Sequence, residues 1–399
     1  MVKRLIFFTG MIDILDIFVY DLKKSFDEMN YETMIFDTRD MAGSLMKFFP
    51  FVMRPVDAAV TFNNLGLNME IESGINVWEQ YHIPCVDILM DHPFCFDEVL
   101  TNAPSEAIVL CVDRNHMHYL ERFYPNIPVI GYLPHGGKRT SDHIKPISER
   151  TIDVMYAGGL SRDFAYRVYP DFSQYKDFDV KEVCRRAYDD LINNPEKTTE
   201  QAIEESLAAT GVKLDDDELR HVIADLHFID LYAVSYYREK TVRAVAESGI
   251  ELTLCGFGWE NCEWINRPNV HYIGRISADD VVEKMQDAKV VLSTMTWFKD
   301  GTHDRVFNGM LAGAVTASDT SLYMKEEFKG FKETDGRDER EMIMFELEDI
   351  KRLPDMINEV LNDNKLAQDM ADRGRKKAEE AHTWKARAME LERDLFSQL

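Results

Sequence analysis

The stretch that decides the fold lies at residues 301–319 and reads GTHDRVFNGMLAGAVTASD. It follows a short apolar run at residues 290–293, which predicts a buried strand. A polar loop and a short amphipathic segment at residues 305–312 come next, Gly313 ends that segment, and residues 314–317 predict a second strand. A strand, a loop, a helix and a second strand in this order are typical of a parallel α/β sheet.

The loop of this stretch has the chemistry of an anion site. A helix N-terminus presents unpaired N–H groups and a partial positive charge, which suits a diphosphate. His303 and Arg305 add side-chain donors, and a guanidinium can bind two phosphate oxygens at once. We therefore predict a nucleotide-sugar diphosphate site. The competing interpretation pairs Arg305 with Asp304 or Asp300 on the surface and gives His303 a structural hydrogen bond.

Composition sets the class of protein. A chain of 399 residues has room for two domains, and 45% apolar residues can build their cores. The formal net charge of -25 excludes the basic surface that a nucleic-acid binder needs. It also argues against broad adsorption to anionic lipid. We predict two folded domains with no nucleic-acid partner.

Cysteine usage and the amino terminus bear on the compartment. The six cysteines show no CxxC pair and no zinc spacing, which favours free thiols in a reducing compartment. The start, MVKRLIFFTG, has an apolar run of about five residues, against roughly 7–15 in a signal peptide. No run approaches the roughly 20 apolar residues of a spanning helix. We predict a cytoplasmic protein without a transmembrane segment.

The first half alternates apolar runs with segments of helical periodicity. Such alternation predicts right-handed crossovers and a parallel sheet. Ligands bind outside the carboxyl ends of parallel strands, and polar residues recur there, although each alone could be a turn or cap residue. The predicted strands cover residues 5–8, 33–36, 58–62, 84–89, 107–112 and 129–133, and the polar residues that follow them include Asn63, Asn64, Asp91, His92, His116 and His135.

A second alternating half follows a polar linker. Its predicted strands at residues 152–156, 251–255 and 270–273 end in glycine-containing turns, and glycine lets a backbone approach a ligand closely. Three acids at residues 215–217 open a helical stretch and are read as a solvated cap. The predicted domains are residues 1–140, a linker at 141–151, residues 152–380 with a helical insertion at about 163–249, and a closing helix at 381–399.

Several segments of the second half carry a family resemblance. They are Tyr156 to Gly159, LTLCGFGWE at residues 252–260, NVHYIGRIS at 269–277, THDRVFNGMLAGAVTASD at 302–319 and HTWKAR at 382–387. Their order over roughly residues 151–390 resembles the carboxyl-terminal domain of GT-B glycosyltransferases, specifically the spore-protein-CgeB-like glycosyltransferase group. The first half resembles these enzymes only in its general layout.

The resemblance implies a GT-B fold, in which two Rossmann-like domains with parallel sheets face each other across a cleft. The second domain would hold a nucleotide-sugar donor, predicted to be UDP-linked, and the first an unidentified acceptor: protein, glycan or small molecule. No metal and no cofactor are expected, because protein donors neutralise the leaving diphosphate. The predicted acceptor-side residues are Gly10, Asn63, Asn64 and His135, and the predicted donor-binding residues are Gly158, Gly159, Arg162, Gly256, Phe257, Gly258, Tyr272, Ile273, Gly274, Thr302, His303, Asp304, Arg305, Asn308 and Asp319.

One position departs from the family pattern. Asn308 stands where relatives usually have a glutamate that is taken to hold the ribose hydroxyls, and an amide accepts hydrogen bonds without a charge. The paired-glutamate signature of the large retaining family is absent, so the resemblance implies no stereochemical outcome. Two other functions therefore stay open: a UDP-sugar 2-epimerase, and a non-catalytic structural or binding relative.

The predicted catalytic residues lie in the first half. His92 is the candidate base for an acceptor hydroxyl, because the pKa of an unperturbed imidazole lies near neutrality. Asp91 and His135 are its rivals. The competing interpretation reads Asp91-His92-Pro93 as an ordinary turn before proline.

Overall fold

The computed structural model describes residues 2–72, 74–139, 141, 143–332 and 338–398. The ends of the predicted first domain, Met1 and Thr140, Asp142 of the predicted linker and the last residue, Leu399, lie outside the described residues. The chain divides into two compact units, Met1–Lys138 with Ala381–Leu399, and Arg139–Glu380. The segment predicted to close the chain at residues 381–399 thus belongs to the first unit.

The first unit is built on a parallel sheet of six strands. Their order is β2-β1-β3-β6-β7-β8, and two short strands, β4 and β5, form a separate antiparallel pair that the sequence did not predict. The six predicted apolar runs are all strands. β1, β3, β6 and β7 are buried along their whole length, whereas the edge strands β2 and β8 are only partly buried. The strands are β1 (Arg4–Thr9), β2 (Glu32–Asp37), β3 (Ala58–Phe62), β4 (Glu70–Glu72), β5 (Ile75–Asn76), β6 (Cys85–Leu89), β7 (Ala107–Cys111) and β8 (Val129–Tyr132).

The second unit also has six parallel strands. The order β11-β10-β9-β12-β13-β14 reverses between β9 and β12, as in dinucleotide-binding sheets. Strand β14 was not predicted, because three residues are too few to show a period. The strands are β9 (Ile152–Ala157), β10 (Leu252–Cys255), β11 (Val270–Tyr272), β12 (Ala288–Ser293), β13 (Val315–Asp319) and β14 (Ile343–Phe345).

Helices connect the strands of both sheets. Those of the first unit are α1 (Asp13–Glu28), α2 (Met41–Val52), α3 (Val77–Tyr81), α4 (Asp97–Thr101) and α5 (Arg114–Phe123). The later ones are α6 (Val180–Asn193), α7 (Thr199–Ala209), α8 (Asp216–Leu226), α9 (Phe228–Glu247), α10 (Ala278–Lys284), α11 (Asp304–Leu311), α12 (Leu322–Glu327), α13 (Leu353–Leu361), α14 (Asn364–Ala381) and α15 (Trp384–Leu391). No helix in the described ranges is both long and apolar enough to cross a bilayer.

The helical insertion is shorter than predicted. Val242, Val245 and Ala246 of α9 lie in the same buried cluster as residues of β9 and β10. Helix α9 is therefore the crossover that a parallel β9–β10 pair requires, and the added helices are α6 to α8. Asp215 is the N-cap of α8 and forms a capping box with Glu218, which confirms the prediction of a cap there.

Candidate functional site

The centre of the second unit lies where its strand order reverses. Ligands of open parallel sheets bind at this point, outside the carboxyl ends of the strands. The loop after β12 is fixed there by the end of β13: Asp319 Oδ1 accepts the Met295 N–H at 2.8 Å. Ser321 Oγ donates to the Gly301 carbonyl at 2.6 Å. Burial raises the pKa of Asp319 to about 6.

His303 begins α11 and joins its two neighbours. Nδ1 lies 3.2 Å from the Arg305 N–H and 2.5 Å from Asp304 Oδ1, and Nε2 lies 2.9 Å from Arg305 Nη2. Burial, followed by the Arg305 charge, lowers the pKa of His303 to about 4, so the ring is neutral at pH 7. Because a guanidinium only donates, Nε2 accepts and the ring proton lies on Nδ1, against Asp304. With its proton there, Nδ1 cannot at the same time accept the Arg305 N–H, whose nitrogen lies 3.2 Å away.

Asn308 lies one turn further along α11. Its Nδ2 donates to Asp304 Oδ2 at 2.8 Å, and the residue is almost fully buried. A glutamate in its place would set a second carboxylate against Asp304 in a buried site, which costs free energy. The pairing explains why an amide can stand here. Whether Asn308 also contacts a ribose stays a prediction.

The guanidinium of Arg305 is positioned by His303 and not by an acidic side chain. The guanidinium forms no ion pair among the described residues, while Asp304 accepts hydrogen bonds from His303 and Asn308. Nη1 is buried and has no hydrogen-bond partner in the described part of the chain. The guanidinium carbon lies 5.9 Å from the centre of the Tyr156 ring. A Cβ on Gly158 would lie 3.3 Å from Nη1, so Nη1 is next to the turn after β9.

A buried arginine near Arg305, Arg238, was missed by sequence reasoning. It lies on α9, and its Nη1 donates to the Gly159 carbonyl. Its Nε is buried and has no partner within the described ranges. Burial and the nearby Arg305 charge lower the pKa of Arg238, so an anion at this place would stabilise both cations. The only signal was an arginine among the aromatic residues of a helical stretch.

Thr302 provides a third side chain with a buried polar atom that lacks a described partner. The residue is fully buried, and its Oγ1 has no hydrogen-bond partner among the residues described. Buried polar atoms normally find a partner, so each exception needs an explanation. Arg305 and Arg238 can only donate, and the Thr302 hydroxyl can also donate. Together these groups suit a ligand that offers several oxygen acceptors and negative charge.

Glycines let the turns after β9 and β10 interlock. Gly256 has a φ of +133°, and a Cβ there would lie 2.1 Å from the Gly158 carbonyl oxygen. A Cβ on Gly258 would lie 2.2 Å from the Leu160 carbonyl oxygen. The indole of Trp259 donates to the Gly158 carbonyl at 2.8 Å. The predicted donor-binding glycines therefore form one packed unit beside Arg305.

The other predicted donor residues surround these turns. Phe257 lies over Gly159 with 40% of its surface exposed, and Ile273 is exposed to the same degree, at 39%. Tyr272 Oη donates to the Gly256 carbonyl at 2.9 Å, and the Gly274 carbonyl accepts the Gly256 N–H at 2.9 Å. These residues shape the edge of the site.

Arg162 differs from Arg305 and Arg238. Its guanidinium pairs with Glu239 at 2.6 Å and with Asp163 at 3.2 Å, and its side chain is 40% exposed. Both partners are acids that already neutralise its charge. The donor-binding role predicted for Arg162 has no geometric support comparable to that of Arg305.

Several polar residues of the first unit bind one another, although the side-chain amide of Asn64 has no hydrogen-bond partner among the described residues. Asn63 Nδ2 donates to Asp91 Oδ2 at 2.8 Å, and Asn63 Oδ1 accepts the Met90 N–H at 2.8 Å. The Asn64 N–H donates to Asp87 Oδ1 at 2.9 Å. Asp87 is fully buried, its Oδ2 has no partner in the described part, and burial raises its pKa to about 7. Sequence reasoning did not single out Asp87, which lies within an apolar strand.

Three histidines meet at the ends of β6, β7 and β8. The His92 and His116 ring centres are 4.3 Å apart, and burial, then His92 and His135, lowers the pKa of His116. His92 Nδ1 accepts the Phe94 N–H at 3.2 Å and caps the short helical turn Pro93–Phe96. A neutral ring with Nδ1 as acceptor carries its proton on Nε2. His92 would have to release this cap, or exchange its proton, before Nε2 could act as a base.

Gly10 lies at the end of β1. Its N–H donates to Asp16 Oδ1 at 2.9 Å, its φ is +116°, and a Cβ would lie 2.3 Å from Thr38 Oγ1. His135 is buried, and its carbonyl accepts a hydrogen bond from Arg387 Nε at 3.0 Å. The catalytic and acceptor-side roles of all these first-unit residues stay predictions.

Known proteins resemble this chain in sequence and in fold. Residues 238–393 match the family described as glycosyl transferase-like. Sucrose-phosphate synthase from Thermosynechococcus elongatus has 12% identity and a TM-score of 0.55. Anabaena HepE, solved with UDP and glucose, has 13% identity and a TM-score of 0.53. An α-glucosyltransferase solved with UDP and DNA has 11% identity and a TM-score of 0.60. In each comparison the alignment covers 100% of both chains.

These matches bear on fold and on family to different degrees. A search of curated protein sequences finds no match. None of the matches tests the resemblance to the CgeB-like group, which stays a prediction. The parallel sheets of the two units, together with the structural matches, show that this chain has the fold of the GT-B glycosyltransferases, and its segment 238–393 carries the sequence pattern of a glycosyl transferase-like family.

Proposed function

We propose that the chain is a glycosyltransferase that transfers a sugar from a nucleoside-diphosphate donor, UDP-linked, to an acceptor that is not yet identified. The observation that carries the proposal is the buried Arg305 Nη1, which has no partner among the described residues at the strand-order reversal of the second unit. A diphosphate oxygen would satisfy it. A buried donor without a partner otherwise costs about 1–3 kcal/mol or more.

The comparisons support the same class of donor. The matched family segment begins at residue 238 and contains the loop and helix that carry Arg305. Two of the solved proteins with a similar fold were obtained in complex with UDP. That this chain uses the same class of sugar donor is part of the proposal. It depends on the hydrogen-bond donors of Arg305, Arg238 and Thr302 that have no described partner.

The reaction proposed needs no metal ion or cofactor. As the bond from the sugar to the diphosphate breaks, negative charge grows on the leaving oxygens. The guanidiniums of Arg238 and Arg305, together with the Thr302 hydroxyl, would stabilise that charge in a site from which water is largely excluded. His303 fixes the orientation of Arg305 through Nε2 and is neutral, so it adds no positive charge of its own.

Binding and turnover over a panel of UDP-, GDP-, ADP- and dTDP-sugars test this proposal. We expect UDP-sugars to raise the melting temperature and to be hydrolysed slowly without an acceptor. Arg305→Ala should reduce donor affinity at least about 100-fold, because a charge-assisted contact is lost and a buried site is left open. Arg162→Ala is the matched control, since that guanidinium is already paired with Glu239 and Asp163.

The outcomes separate the alternatives. No binding across the panel would contradict the proposal and favour a structural relative. Equal losses in Arg305→Ala and Arg162→Ala would show that the site lies elsewhere. Conversion of the donor to an epimeric nucleotide sugar would identify the 2-epimerase.

A further inference from the structure

Four residues at the start of α11 form one continuous chain of hydrogen bonds. Asn308 Nδ2 donates to Asp304 Oδ2 at 2.8 Å. The other oxygen of that carboxylate, Oδ1, lies 2.5 Å from Nδ1 of His303. On the far side of the ring, Nε2 of His303 lies 2.9 Å from Nη2 of Arg305. The chain ends at Nη1 of Arg305, which is buried and has no partner among the described residues.

The position of the proton on the His303 ring decides whether this chain holds. A neutral imidazole has one donor nitrogen and one acceptor nitrogen. With the proton on Nδ1, that atom donates to Asp304, and Nε2 accepts from the Arg305 guanidinium. With the proton on Nε2, Nδ1 instead accepts the Arg305 N–H, 3.2 Å away, and caps the helix. The Nε2–H group then faces the N–H groups of the guanidinium, donor against donor.

The carboxylate of Asp304 selects the first of these two tautomers. Asp304 is buried, and a carboxylate only accepts hydrogen bonds, so the ring nitrogen next to it must carry the proton. Asn308 is also buried and donates to the second oxygen of the same carboxylate. Rotation of the Asp304 side chain would break both contacts. The two residues together therefore fix where the ring proton lies.

We propose that Asp304 and Asn308 are positioning residues of this site. By fixing the tautomer of His303, they hold the guanidinium of Arg305 in place for a diphosphate. The ligand in this statement rests on the proposed function, whereas the tautomer is a property of the protein without a ligand. Asn308 thereby has a role other than the ribose contact that the family resemblance implies, and neither positioning residue needs to touch the nucleotide.

Asp304→Asn is the variant that tests this inference. It replaces one acceptor oxygen by a donor at nearly unchanged size. Asn308 still donates to the oxygen that remains, so the new amide nitrogen faces Nδ1 of His303 and moves the ring proton to Nε2. The corresponding change of acid to amide beside the histidine of a serine-protease triad leaves the geometry intact but gives the wrong tautomer.

Two measurements follow the variant. Nitrogen-15 NMR of the protein without ligand at pH 7 should show the Nδ1–H pattern for His303 and, in Asp304→Asn, the Nε2–H pattern. His303→Gln identifies the signal. Titration calorimetry should show a loss of UDP affinity of about 30-fold, because the guanidinium that makes a charge-assisted contact is no longer held in place.

Asn308→Leu separates positioning from a ribose contact. Leucine has a similar size but donates no hydrogen bond, so the Asp304 carboxylate loses the contact from Asn308 and Arg305 is held less firmly. We expect the affinities for UDP and for inorganic pyrophosphate to fall by the same factor, about fivefold, because pyrophosphate has no ribose. Loss of affinity for UDP alone would show that Asn308 binds the ribose and would overturn its positioning role.

Asp355→Asn is the matched control. Asp355 is an exposed acid in the first turn of α13, so its replacement also removes a negative charge from a helix N-terminus and should change neither the tautomer nor the affinity. The inference is overturned if the unmodified protein carries the His303 proton on Nε2, or if Asp304→Asn lowers UDP affinity no more than the control does. If the unmodified protein does not bind UDP, the proposed function is contradicted, and the tautomers still support or overturn the inference by themselves.

Discussion

The two units have parallel sheets of six strands each, yet the polar groups at the strand ends differ. In the second unit, Arg305, Arg238 and Thr302 have buried atoms that can donate and that have no described partner. In the first unit Asn63 binds Asp91, and the buried side-chain atoms without a described partner include those of the Asn64 amide, the Thr9 hydroxyl and a carboxyl oxygen of Asp87. The two sheets are alike, but two guanidiniums are among the open groups of the second unit, whereas these open groups of the first unit carry no positive charge. This difference favours an anion at the second unit.

Among the substitutions that test this comparison, the largest effect is expected for Gly256→Ala. The φ of +133° at Gly256 disfavours any side chain, and a Cβ would clash with the Gly158 carbonyl oxygen at 2.1 Å. Gly256→Ala should therefore lower the free energy of unfolding by roughly 3–5 kcal/mol, through strain plus displacement of the turn beside Arg305. Denaturant unfolding measures this.

Gly274 supplies the control for that experiment. Its φ is +70°, but a Cβ there would meet nothing within 4 Å. Gly274→Ala should cost only about 1 kcal/mol, the price of the left-handed backbone for a residue with a side chain. Equal costs at the two positions would show that the turns of the second unit do not depend on the close backbone approach at Gly256.

Asp87 tests the first unit. Burial raises its pKa to about 7, so the folded state keeps the proton that the unfolded state loses near pH 4. The contribution of this group to stability is fully present below about pH 4 and is lost as the pH rises to about 7. Between pH 5 and 8 the loss should be about 2–3 kcal/mol.

Asp87→Asn should remove that pH-dependent loss. Its amide oxygen can still accept the Asn64 N–H, as Asp87 Oδ1 does. The difference between the two proteins must be followed, because the lowered pKa of His116 changes stability with pH in the opposite direction. Denaturant unfolding at several pH values gives this difference. If the difference in unfolding free energy between the two proteins does not change with pH, the Asp87 carboxyl is not held protonated in the folded state. The contrast between the two units is then weaker.

Sequence periodicity was enough to predict most of both sheets. Each run of buried β-branched and aromatic residues is a strand, and the predicted run at residues 58–62 has the observed bounds of β3, Ala58–Phe62. The hairpin β4–β5 and strand β14 were missed because two or three residues carry no period. The loop and helix around Arg305 were also predicted, since their polar and glycine residues are consecutive in the chain.

Arg238 could not be predicted, and the reason is physical. Helix α9 carries aromatic and charged residues on several sides, so its pattern does not show which arginine is buried. Arg238 becomes part of the site only because α9 crosses between β9 and β10 and brings it to Gly159. Likewise, the pairing of Asn308 with Asp304 depends on the turn of α11 and on burial, which the sequence alone does not reveal.

The smallest of these effects, and the one that most directly tests the difference between the units, is expected for Arg238→Met. Methionine keeps much of the side-chain volume but removes the buried cation next to Arg305, so UDP affinity should fall about thirtyfold, or 2 kcal/mol. Arg243→Met is the control, because Arg243 is on the same helix, half exposed and paired with Glu247. Titration calorimetry measures both. If Arg238→Met binds UDP as tightly as Arg243→Met but melts at a lower temperature, Arg238 only holds the Gly159 turn, and Arg305 and Thr302 would have to bind the diphosphate alone.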